Sequence, residues 1–314
     1  MLRTSACDEI DPYHFLVELA ARMPLSPQDE IDCYLLTGDH DSLFRAWPGD
    51  NFMARANHGD TALRAALTAR VRERTSHWEF PTVIAGVDLA ALTRTKVTPM
   101  VYGLFPSNEQ ETVLDMLERS VVVLTPAAIE NLIARGIYLS AAWRLAEMYL
   151  VSRGAEGLSQ VAARIVGFSE GTTCYLTLDY FVRNSHFDDY LVHEAAHVFH
   201  NCERATIGLK ETRRREWLQD INFRQRETFA YACEAYSRIL ELGADPRSRR
   251  ILLGELEGGP LPGDDRVDVD EYLDILREAI GVRNGWKRIR ERCAPVRRRA
   301  VIEAGEVNFN EAHG

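Results

Sequence analysis

Four-residue spacing between two histidines inside an apolar helical run is the strongest constraint in this sequence. Residues 191–204 read LVHEAAHVFHNCER, in which His193, Glu194 and His197 form an HExxH pattern. Helical residues advance about 100° each, so His193 and His197 lie one above the other and can each direct an imidazole nitrogen at a shared ion. Glu194 falls at the edge of that face, placed to reach a water on the ion without being a ligand, which is the position of a general base. Val192, Ala195, Ala196 and Phe199 form an apolar face, while His193, His197, His200 and Arg204 gather within about 60° of one another on another. The stretch predicts a helix with one side for the core and one for a zinc ion.

A catalytic zinc site takes three protein ligands and leaves a position open. Glu203 lies six residues beyond His197, but reaching back from there needs a glycine to break the helix, and His200 stands at that place. Glu227 opens a second helical run, residues 227–240, with Phe229, Cys233, Tyr236 and Leu240 on its apolar face. Glu227, Ala230, Tyr231, Glu234 and Arg238 occupy the other face, where Ala230 is small enough to let two helices approach. Glu227 is therefore the predicted third ligand, and a zinc hydrolase is the expected chemistry.

The rest of the chain is compatible with this reading. At 314 residues there is length for one large domain or two modest ones, and a formal net charge of −10 argues against nucleic acid or an anionic membrane as a partner of the whole body. The basic stretch 283–299 would be the only local exception, and a solvated or docked helix is its expected role. No segment reaches about 18 uncharged apolar residues and the start carries no export signal, so a cytoplasmic protein outside the membrane is expected. Six cysteines lack CxxC spacing, which favours reduced thiols over a zinc ribbon or a disulfide framework. Arginine greatly outnumbers lysine, a composition bias that hints at a bacterium.

In chain order, the signals are mainly helical up to about residue 154. One helix is predicted from Ser26-Pro27, and another after Asp60 on Ala62, Leu63, Ala66, Leu67 and Val71, with irregular connection over residues 39–60. Residues 121–124 form a short apolar run that fits a buried strand or a helix end. Thr125-Pro126 opens a further helix stopped at Gly136, and Ser140 is the expected cap of the next. His14, His40, His58 and His77 stand alone, without partners at ligand spacing. A boundary near residues 154–158 divides an N-terminal helical region, 1–154, from a second domain, 155–314; residues 126–153 could pack with the latter. Beyond it, residues 161–168 and 172–181 are rich in β-branched and aromatic residues around Ser169-Glu170-Gly171 and predict a hairpin whose second strand forms an open edge. The fold class expected is α+β, mainly helical.

HEAAH followed by a helix beginning E-x-x-A, over residues 193–236, resembles the zincin metallopeptidases of the glutamate-ligand type, the gluzincins. The resemblance implies a zincin-like domain with a small sheet and a zinc ion on His193, His197 and Glu227. It also implies hydrolysis of a peptide or protein substrate by a zinc-activated water, with Glu194 as base. In that group the third-ligand helix often reads E-x-x-A-D, its aspartate orienting a ligand histidine; here Tyr231 stands at that place, and Asp179, Asp188 or Glu234 could serve instead. His200 and Tyr231 lead the candidates for stabilising an oxyanion, ahead of Tyr180 and Arg204, and His200 could also be an additional ligand. The alternative is a binding or regulatory protein that uses a zincin-like scaffold without turnover.

Overall fold

The computed structural model describes residues 26–76, 86–135, 137–159, 167–182, 186–211 and 215–295. Six helices, counted in chain order among these residues, precede the sheet's hairpin: α1 Pro27–Thr37, α2 Phe52–Thr75, α3 Leu89–Leu104, α4 Ser107–Glu118, α5 Pro126–Ala134 and α6 Leu139–Ser152, with strand β1 Val121–Val123 between α4 and α5. The hairpin β2 Gly167–Glu170 and β3 Thr173–Leu176 is followed by a single turn α7 Asp179–Val182, the motif helix α8 Tyr190–Asn201, and α9 Arg226–Leu242. Helices α10 Pro246–Glu257, α11 Val269–Gly281 and α12 Gly285–Cys293 complete the described chain. The fold is mainly helical α+β, with a small mixed sheet.

Local chemistry sets many of these boundaries. Ser26 and Asp29 form a capping box around Pro27 at the start of α1, and the Thr125 side chain accepts the Ala128 amide ahead of Pro126 in α5. Helix α2 begins at Phe52, capped by Asn51, so the Gly- and Asn-bearing stretch before Asp60 is partly helix and not irregular connection. Gly59, inside the stretch expected to be irregular, is a packing notch: a Cβ there would lie 2.8 Å from the Trp47 ring and also strike Phe44. Ser140 is not the cap of α6; the helix begins one residue earlier and Tyr138 holds the cap position without a side-chain bond. Gly136 lies outside the described residues.

The sheet has the order β1-β3-β2, with β1 parallel and β2 antiparallel to β3. The 121–124 run thus supplies a strand. The open-edge expectation for the second hairpin strand is corrected: β3 is central, paired on both sides, and the edges belong to β1 and β2. Alternation in residues 172–181 does not continue as strand either, because the chain turns helical at Asp179.

Period-two alternation then sends side chains to two separate cores. Cys174 and Leu176 point into a cluster with α3, α4, α8, α9, α11 and α12, represented by Val101, Leu114, Phe199, Phe229, Ile275 and Ile289. Tyr175 joins the other cluster, with Leu63, Leu67, Ile129 and Leu145 from α2, α5 and α6. Helices α3 and α4, although far upstream of the HExxH run, therefore share the core that carries it. Cys33, Cys174, Cys202, Cys233 and Cys293 are free thiols, all but Cys33 buried. Among the described residues no helix is long and apolar enough to cross a membrane.

The basic stretch 283–299 is described to residue 295. Its helix α12 buries Trp286, Ile289 and Cys293, while Arg288 and Arg292 pair with Glu278 of α11. That segment of it is docked on an acidic helix.

Candidate metal centre

Helix α8 is launched by Asp189, whose Oδ1 accepts the Val192 amide at 3.4 Å, and ends where Cys202 turns extended. The chain then folds back, so that Glu203 forms an isolated bridge with Trp217 and its side chain is exposed. Glu203 is thereby kept from the face that holds the histidines. Helix α9 lies beside α8, with Ala230 fully buried, and its first turn brings Glu227 to that face.

His193, His197 and Glu227 converge there. The two Nε2 atoms are 3.1 Å apart, and Glu227 Oε2 is 3.3 Å from His197 Nε2 and 3.9 Å from His193 Nε2. Tetrahedral ligands at ordinary Zn–N and Zn–O lengths sit about 3.3 Å from each other. The triangle is of a size at which the three atoms could hold a metal ion.

Hydrogen-bond partners assign the tautomers. His193 Nδ1 faces Glu234 Oε2 at 3.0 Å, and His197 Nδ1 faces His200 Nε2 at 3.0 Å, while His200 Nδ1 faces Asn201 Oδ1 at 3.0 Å. With Nδ1–H donating in each case, His193 and His197 present Nε2 to Glu227, unprotonated if a cation sits there and, on His197, protonated and hydrogen-bonded to Glu227 if none does. Three electron-pair donors then point at one place. Without a cation or proton between them they would repel, which is the sense in which this donor set fits a metal.

Burial shapes the titration of the group. It pushes His193 down to about 4, helped by the nearby His197, and pushes His200 down to about 3, so both favour the neutral form that ligates or accepts. Burial also opposes charge on His197 and Glu227, yet their mutual hydrogen bond wins, leaving His197 raised and Glu227 lowered. Glu234 is raised well above the carboxylate range by burial and by Asp188. A cation on His193 Nε2 is what would offset an anionic Glu234 in that setting.

Glu194 is buried, and burial lifts its carboxyl pKa against the lowering influence of His193 and His197. Strand β2 covers it. A Cβ at Gly167 would come within 2.7 Å of Glu194 Oε1, so glycine permits the backbone of β2 to approach the carboxyl group.

The remaining candidates divide clearly. Tyr231 stands edge-on to His193, ring centroids 4.6 Å apart, and so packs that ring. Glu234, one turn further along α9 on the same face, is the carboxyl group that meets His193 Nδ1. His200 supports His197 from its Nδ1 side and is turned from the converging donors. Arg204 is buried and bound to Glu109, with its Nη2 2.7 Å from Oε1, and Tyr180 donates to Asp189 Oδ1 at 3.2 Å. His40 is half-buried and His58 bonds the Pro48 carbonyl; His14 and His77 lie outside the described residues.

Three contributors were not foreseen. Arg266, from the α10–α11 connection, places Nη1 2.8 Å from Glu227 Oε1, and Asp264 holds the same guanidinium. Lys96 of α3 pairs with Asp189 at 3.1 Å and Glu241 at 2.9 Å, beneath the amide of Asp189 that donates to Glu234 Oε1 at 2.7 Å. Gly167 is the third. No local pattern marks any of them, because each acts across the fold from a separate segment. Comparison with models of protein families, with curated proteins and with solved structures finds no match for this chain.

Proposed function

We propose that this protein is a zinc-dependent peptide hydrolase. The observation that carries the reading is the convergence of His193 Nε2, His197 Nε2 and Glu227 Oε2 at tetrahedral spacing, next to a buried carboxyl group, Glu194, that is no member of the triangle. A zinc ion held by those three atoms would supply Lewis acidity toward a carbonyl oxygen and toward a water. Glu194 accepts a proton from the attacking water as its oxygen bonds to the peptide carbonyl carbon. It then returns that proton to the amine as the C–N bond breaks, so that one water is consumed per bond cleaved. Its raised pKa suits both halves of that cycle. Glu234 and His200 hold the imidazoles in the tautomer that presents Nε2, and Tyr231 fixes the His193 ring by edge contact. The gluzincin resemblance supports the same assignment.

The test is Glu194→Gln in the zinc-loaded protein. A base of this kind contributes about 10²–10⁴-fold, so cleavage of a mixed peptide library should fall by at least that lower bound while bound zinc stays near one per chain. Cleavage retained by the variant would refute the role of Glu194, and absence of bound metal in the wild type after reconstitution would refute the site.

A further inference from the structure

The two oxygens of Glu227 have different neighbours. Oε2 faces the histidine pair, whereas Oε1 is 2.8 Å from Arg266 Nη1. Arg266 is itself fixed in a fork: Nε lies 2.9 Å from Asp264 Oδ1 and Nη2 2.6 Å from Asp264 Oδ2, and the Asp264 side chain also caps the Arg266 amide at 2.9 Å. Bidentate pairing of this kind sets the plane of a guanidinium. The unit Asp264-Asp265-Arg266 follows the Gly-Gly-Pro-Leu-Pro-Gly turn and reaches Glu227 from outside α9, and its Arg266 side chain is 67% exposed.

We propose that Arg266, aligned by Asp264, is a positioning residue that holds Glu227 as a one-oxygen ligand. The inference rests on the metal-site reading above. A carboxylate with one oxygen held by a guanidinium cannot swing both oxygens onto the ion, and it gives the ion less charge. Both effects keep a coordination position open and preserve the Lewis acidity that hydrolysis needs. Release of Oε1 lets Glu227 bind through two oxygens. Because Arg266 lies on an exposed connection and adds no apolar surface to the core, its replacement tests the contact without removing the fold.

The experiment uses full-length wild type, Arg266→Met, Arg266→Lys and Asp264→Asn, each titrated with Zn²⁺ against a competing chelator and, separately, loaded with Co²⁺ for visible spectroscopy. Cobalt bands weaken as coordination number rises. Expected results are a 10–100-fold change in zinc affinity for R266M, weaker cobalt bands for R266M than for wild type, partial return of both with R266K, and an intermediate shift for D264N. Matching circular dichroism and Tm establish that the variants are folded. Wild-type affinity together with a wild-type cobalt spectrum in folded R266M overturns the positioning role while leaving the metal site standing. Wild type that takes up neither metal, with His193→Ala no different, overturns the site and this inference together.

Discussion

Replacing Glu234 by glutamine isolates the contact that orients His193. The carboxylate accepts on both oxygens, from the Asp189 amide at 2.7 Å and from His193 Nδ1 at 3.0 Å. Glutamine keeps the shape but can accept through one atom only. If its oxygen faces Asp189, its NH₂ faces His193 Nδ1 and drives the imidazole proton to Nε2, where it blocks ligation. If the amide flips, two N–H groups confront each other at Asp189. Either orientation removes one hydrogen bond to a charged acceptor, worth about 1.5–3 kcal/mol. That range corresponds to roughly a 10–150-fold loss of zinc affinity, in agreement with the 10–100-fold typical of such partners.

The same substitution has a separate effect on the metal-free protein. Burial already opposes ionisation of Glu234, so a neutral side chain of equal size relieves part of that penalty. Metal-free Tm should stay level or rise, while the added stability from zinc falls. At a free zinc concentration 100 times the wild-type Kd, wild type gains about 2.7 kcal/mol, and a 100-fold weaker variant about 0.4 kcal/mol. Calorimetric scans with and without zinc, at matched free metal, measure both quantities. Equal zinc-dependent gains in wild type and E234Q would refute the assignment of Glu234 as the partner of His193.

Two further outcomes follow from other contacts. In Gly167→Ala the new Cβ meets Glu194 Oε1 at 2.7 Å, so turnover should drop at least tenfold with zinc content unchanged, read by single-turnover peptide cleavage beside metal analysis; undiminished turnover would show that β2 does not position Glu194. Burial opposes ionisation of Glu109, but Arg204 and Arg215 outweigh it and hold its folded pKa below the ordinary value of 4.5, so the stability it contributes is present above that pH and is lost as pH falls through the folded pKa. Glu109→Gln should lower Tm at pH 7, by an amount equivalent to about 3–5 kcal/mol because Arg204 is left buried without its partner, and should flatten the decline of Tm below pH 4.5. Parallel acid profiles for the two proteins would contradict this.

Local signals carried most of the helical pattern. Ser26-Pro27 and Thr125-Pro126 each satisfy an amide of the turn they precede, and a cap needs only neighbours in sequence. Gly59 misleads for the opposite reason: its small size answers to Phe44 and Trp47, which local pattern cannot show. The position of β3 in the middle of the sheet likewise depends on β1, some fifty residues upstream, and alternation within a strand does not reveal how many neighbours it has. At the site, His193, His197 and Glu227 were legible because each sits on a helix whose period fixes its direction. Glu234 is one of three carboxylates that the sequence leaves open as partner of a histidine, and only the packing of α9 beside α8 separates it from the others.

The supporting residues also explain how a fold can place so many carboxylates together. Asp189, Glu194, Glu227, Glu234 and Asp264 surround the histidine pair, and among the described residues Lys96 and Arg266 are cations in direct contact with them. Several of these acids are buried, where an uncompensated carboxylate either binds a proton or destabilises the fold. Hydrogen bonds alone account for Asp189, which takes its own helix cap, Tyr180 and Lys96. At Glu227 the same contacts leave two imidazole Nε2 atoms and a carboxylate oxygen crowded on one point. A divalent cation at that point would satisfy both imidazoles and Glu227 and would offset the charge of Glu234 through His193. On the proposed reading the arrangement is organised around a bound cation, with Lys96 behind His193, through Asp189 and Glu234, and Arg266 behind Glu227.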